Sequence, residues 1–185
     1  MDDQAVIDAT RRWISSIVIE LNLCPFAQRV FDADRIRYVV SDAADENRLL
    51  ADLGRELTAL ITVPISVVET TFLIHPLALA DFLDFNDFLG AAEEVVANLG
   101  LQGTVQIASF HPKYQFAGSD ADGVENYTNR SPYPMLHLIR EESIFNVAED
   151  TKQLLEIPRR NIATLRSLGI AKIREKLAEI HGKKT

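Results

Sequence analysis

The chain holds a single cysteine, Cys24, in 185 residues, so no disulfide can close within it, and this usage fits a reducing compartment. No apolar run reaches the roughly 18 residues that a membrane-spanning helix needs. Basic residues are scarce: 19 Lys and Arg stand against 27 Asp and Glu, a net charge of −8. Phosphate backbones require a basic surface, so this balance argues against nucleic acid as the main partner. The only basic concentrations, Arg159-Arg160 and Lys183-Lys184, read as solvated helix ends. The opening MDDQAVIDAT lacks the basic start and apolar core of a signal peptide, so secretion is not expected and a cytoplasmic location is. Gly-rich phosphate cradles and G-x-S-x-G elbows are missing too. No repeat, low-complexity tract or linker rich in Pro, Gly or Ser divides the chain, so residues 1–185 read as a single domain.

What is present is regular. Hydrophobic residues make up 47%, enough at this length to bury an ordinary core. Val6, Ala9, Trp13, Ile17 and Leu21 form one helical stripe that should end near Asn22. Ile36–Ser41 is short, β-branched and aromatic, hence a strand. Ala44–Ile61 returns to helical spacing. Val67–Ile74 is a second strand, and Pro76 suits the first turn of a helix that runs to Asn98 and closes at Gly100. Gly103–Ser109 and Pro134–Arg140 read as strands three and four. Pro158 is expected to open a helix that Gly169 terminates, and Ile170, Ile173, Leu177 and Ile180 stripe the last one.

Strand–helix–strand–helix–strand at these lengths argues two consecutive βαβ crossovers. The fold class is therefore α/β (or α+β): a small, mostly parallel sheet of about four strands, packed by the N-terminal and C-terminal helices. Parallel strands present their C-terminal ends on one rim, where ligands bind in such sheets. His75 and His111 each follow a strand and precede a proline, so both should approach that rim.

Beside the rim runs the loop 110–133, too long and aperiodic for an ordinary connection and too aromatic for disorder. Its Asp120-Ala-Asp122-Gly123 lacks the other ligands of a calcium loop and reads as a turn. Arg130, among Asn126, Tyr127 and Asn129 and with Tyr114 nearby, could clamp a carboxylate or phosphate, or could tie the loop down through an ion pair. His75 and His111 are candidates for proton transfer, or alternatively capping histidines that bond nearby carbonyls. Cys24 is either a small buried hydrophobe or a nucleophile activated by one of them. Zinc would accept Cys24, His75 and His111, but their spacing follows no metal signature, so no metal is expected. No cofactor is indicated. His137, flanked by Met135 and Ile139 at period two, reads as a satisfied core residue; Asp81 reads as a helix-start carboxylate or as an orienter of a rim histidine.

The blocks NLCPFA (Asn22–Ala27), DFLDFNDFL (Asp81–Leu89), QIASFHPKYQF (Gln106–Phe116) and NYTNRSPYPMLHLIRE (Asn126–Glu141) resemble one family of bacterial proteins known only as a domain of unknown function. The resemblance runs from roughly Trp13 through Ile157-Pro-Arg-Arg-Asn to Gly169. It implies a small, free-standing, cytoplasmic bacterial protein and brings no catalytic residue with it. The residues point to a small-molecule enzyme of hydrolase or transferase type. Its anionic substrate would lie on the rim, held by Arg130, Tyr114, Asn126 and Asn129 and acted on by His111, His75 or Cys24. The alternatives are a non-catalytic ligand-binding or regulatory module using the same cleft, and a homo-oligomeric interaction protein.

Overall fold

The structure, a computed structural model, describes residues 2–145 and 151–182, with side chains except at 145, 151–155, 181 and 182. The Lys183-Lys184 pair lies outside the described residues.

Helix α1 (Asp3–Trp13) starts where Asp2 accepts a hydrogen bond from the Gln4 N–H at 3.1 Å. It continues as a π-helical stretch, Ile14–Ile19, in which the Glu20 N–H reaches back to Ser15 O at 3.1 Å. The run ends where expected, at Asn22, whose φ of 52° is a left-handed conformation that asparagine tolerates. A short α2 (Ala27–Asp32) precedes β1 (Ile36–Val40). Helix α3 (Glu46–Thr62) is capped by Asp45, which accepts from the Arg48 N–H at 3.0 Å. Strand β2 (Thr70–Ile74) begins three residues later than its apolar run, because the N–H groups of Val67 and Val68 turn back to Pro64 O.

Two helix starts differ from expectation. Pro76 does not open a helix: α4 (Phe82–Asn98) begins at its own N-cap, Asp81, which accepts from the Leu83 N–H at 2.8 Å. Pro158 lies inside α6 (Thr151–Leu168) rather than at its start. The good helix formers of Lys152–Glu156 carry the helix through the proline, at the loss of one backbone hydrogen bond. Strands β3 (Val105–Phe110) and β4 (Met135–Arg140) flank the loop 110–133. Helix α5 (Glu141–Phe145) follows β4 directly, and Gly169, at φ 84°, separates α6 from α7 (Ile170–Gly182).

The strand order is β1-β2-β4-β3. β1 and β2 are parallel, but β4 runs antiparallel to both β2 and β3, so the sheet is mixed and not mostly parallel. The long loop explains the correction. It leaves β3 and returns to the same rim, so β4 enters there and runs back through the gap between β2 and β3. The α/β class holds, and β1, β2 and β3 still end on one rim.

Because side chains alternate along a strand, the four strands serve two cores. On one face Leu73, Leu136 and Leu138 meet Leu49, Leu53, Leu57 and Leu60 of α3 and Phe85, Phe88 and Val96 of α4. The other face carries Phe72, Ile74 and Met135, packed by Trp13, Ile14 and Ile17 of the N-terminal helical run and by Leu165, Ile173 and Ile180 of the last two helices. Arg140 locks the end of α3, donating to Leu60 O and to Val63 O, where a cation suits the negative helix terminus. None of the described helices is long and apolar enough to cross a membrane.

Candidate functional site

The rim brings His75 and His111 together, both against the Phe85 ring, at centroid distances of 5.8 and 5.1 Å. Both imidazoles are buried and turned toward backbone. His75 Nδ1 bonds Ala78 O at 3.1 Å, which places its proton on Nδ1 and leaves a buried Nε2 without a partner among the described residues. His111 accepts from the Lys113 N–H at Nδ1 (3.0 Å) and donates from Nε2 to Leu79 O (3.1 Å), so both ring nitrogens are engaged. Burial pushes His75 down to about 4 and moves His111 in the same direction. Asp81 sits at its helix cap, close enough for its charge to offset part of the His111 shift.

The loop residues form a hydrogen-bonded brace. Asn126 Oδ1 accepts from the Phe116 N–H (2.9 Å) and Ser119 Oγ (2.8 Å), while its Nδ2 donates to Asp120 O (2.8 Å). Asn129 donates to Ser109 O at 3.1 Å. The Arg130 guanidinium donates to Tyr114 O (3.3 Å) and Ala121 O (2.7 Å) and lies 4.3 Å from the Tyr127 ring centre. The Tyr114 ring packs on Phe82 and Phe116. A 3-10 helix within the loop, Val124–Thr128, packs against α6, and Arg174 of α7 donates to the Tyr127 hydroxyl at 2.8 Å. Trp13 donates its indole N–H to Arg130 O at 3.0 Å. The loop thus spans from the rim to the face of the sheet covered by α1, α6 and α7.

Cys24 lies on that face, away from the two rim histidines. Burial pushes its thiol up, opposed more weakly by the Phe26 and Ala27 N–H groups and the Arg160 charge. Among the described residues no three His, Cys, Asp or Glu side chains gather to hold a metal ion.

A cavity also lies here. It measures about 410 Å³ and lies between the sheet and a wall built by the N-terminal helical run, α2, α5 and the Ile157-Pro158 turn of α6. Its floor is the cross-strand row Phe72, His137 and Ala108, with Thr70, Ile139 and Gln106 beside it. His137 stacks on Phe72 at 3.9 Å and meets Thr70 Oγ1 at 2.6 Å. The Thr70 hydroxyl already donates to Leu138 O at 2.7 Å, so it accepts from His137 Nε2–H, and burial pushes the ring down to about 3. At the edge, buried Glu69 is paired with Arg29 (3.0 Å) and Arg35 (3.3 Å). Cys24, Phe26, Val30 and Ser143 belong to the wall, and the Ser143 Oγ is buried without a partner among the described residues.

A second cavity of about 340 Å³ abuts the first under the loop, and Val18, Cys24, Phe110, Ile157 and Pro158 line both. Phe116, Asn129 and Asn161 line its far side. Sequence reasoning placed Cys24 at a site and assigned His137 to the core; it reached neither Asn161 nor Ala108. Period two did put His137 on the face opposite Leu136 and Leu138, which was the one available signal. The space left between the sheet and the helices has no local sequence signature.

No curated protein and no solved structure matches this chain. One family model does, over residues 5–175, nearly the whole length. The chain belongs to the family described as "Protein of unknown function (DUF1415)".

Proposed function

We propose that this protein is a binding module for a largely apolar small molecule, seated between the sheet and α6. The observation that carries this reading is the 410 Å³ cavity, whose size falls in the range of small-molecule sites and whose floor is aromatic and aliphatic. Its polar groups are few and mostly engaged: His137 with Thr70, and Glu69 with Arg29 and Arg35. A histidine held neutral and a glutamate engaged by two arginines leave no unpaired charge in the lining, which favours a neutral guest over the anion that Arg130 suggested. His75, His111 and Arg130 make their hydrogen bonds to backbone groups, which supports binding more than turnover.

Titration with the neutral dye Nile red tests the proposal. Saturable one-to-one binding is expected for the wild type. Ala108→Leu, which fills the floor, should weaken it at least tenfold with an unchanged or raised melting temperature. Equal binding by both proteins would remove the cavity from consideration.

A further inference from the structure

Resting on the cavity-binding reading, we propose that the ligand is elongated and uncharged, an apolar body ending in a hydroxyl or amide donor, and that Asn161 reads that donor. The two cavities meet at Cys24, Phe110 and Pro158, so a ligand reaching both is longer than it is wide. Asn161, only 8% exposed, lines the second cavity. Its Nδ2 donates to Leu23 O at 2.6 Å. A carbonyl only accepts, so this bond sets the orientation of the amide and identifies the other atom as Oδ1. That Oδ1 is buried and has no hydrogen-bond partner among the described residues. An unmatched acceptor in an interior is costly, and a ligand donor relieves it.

The surroundings select among donors. Arg160 donates to Asn22 O at 2.9 Å, and its positive charge reaches Cys24, on the wall shared by the two cavities. A cation there disfavours an ammonium head. An ionised carboxylate has acceptors only and would set oxygen against Oδ1. Hydroxyl and amide N–H remain.

Displacement of Nile red from the full chain by isomeric ligands tests the assignment. n-Decanol and methyl nonyl ether have the same atoms and differ in the donor. The alcohol should displace the dye at about five- to tenfold lower concentration, the worth of one net hydrogen bond. Asn161→Leu should erase the difference, whereas Ser143→Ala, which removes the unpartnered hydroxyl of the first cavity, should preserve it. Equal displacement by the two isomers in the wild type overturns the assignment while cavity binding stands, and this comparison needs no variant to fold. Tighter binding of decanoate than of decanol, or loss of the preference in Ser143→Ala but not in Asn161→Leu, overturns it equally. Failure of the dye to bind at all would instead remove the cavity reading on which the proposal rests.

Discussion

The two faces of the same four strands are finished differently. Toward α3 and α4, Leu73, Leu136 and Leu138 meet helices whose apolar stripes are complete, and Leu53, Leu57, Leu60 and Phe85 are fully buried. Toward α6, the alternate positions of those strands carry Thr70, His137, Gln106 and Ala108, and a cavity separates them from the helix. A sheet needs only one closely packed face to be held together. The other face can be left open to a guest, provided that its polar groups are paired, as His137 is with Thr70.

The largest contrast is expected from truncation. Leu73→Ala on the closed face should cost about 3–5 kcal/mol, because close-packed neighbours cannot collapse into the void. Ile139→Ala, in the cavity wall, enlarges space that already exists and should cost about 1–2 kcal/mol. Urea unfolding of both variants measures the gap, and equal losses would abolish the distinction between the faces.

Enlargement should give the opposite pattern at smaller size. Ala92 of α4 is buried in the closed core, so Ala92→Leu overpacks it and should destabilise by about 1–3 kcal/mol. The same change at Ala108 enters open volume and should fall within about 0.5 kcal/mol of wild type. Thermal melts read the sign directly.

The last contrast is read as a slope, one proton at a time. His75 packs against the closed face and His137 against the cavity, held down to about 4 and about 3 respectively. In the unfolded chain each takes up a proton near 6.5, so below that pH the unfolded state binds more protons. Stability is therefore full above about 6.5 and falls as pH drops, until the folded values are passed near 4 for His75 and near 3 for His137. Each histidine contributes at most about 1.4 kcal/mol per pH unit in its window. His137→Gln should remove one proton from the slope between pH 6 and 4.5. A slope that did not change would mean that water reaches the cavity histidine and leaves it near its ordinary value.

The legible parts of this fold are those written in local periodicity. The stripe Val6–Leu21, the leucines of α3 and the alternation around His137 are each visible within one element, because amphipathic spacing follows directly from helix and strand geometry. The meeting of His75 and His111 at one rim also followed, since it depends only on three strands sharing a direction. The start of α6 was harder: Pro158 is a strong local signal, but the residues before it sustain the helix. For Asn126 and Arg130, composition drew attention to the loop without showing that their hydrogen bonds close on its own backbone.

By itself, then, the sequence determined the four strands, the long helices apart from two of their starts, the α/β class, the shared rim and which side of β4 His137 faces. These depend on interactions a few residues apart. The tertiary structure alone decided that β4 runs back between β2 and β3, that α6 rests on the loop helix and α7, and that Asn161 comes beside Cys24 over 137 residues of chain. Strand order and helix seating are set by which surfaces pack best among distant alternatives. A cavity, being the space those choices leave unfilled, has no residue of its own to announce it.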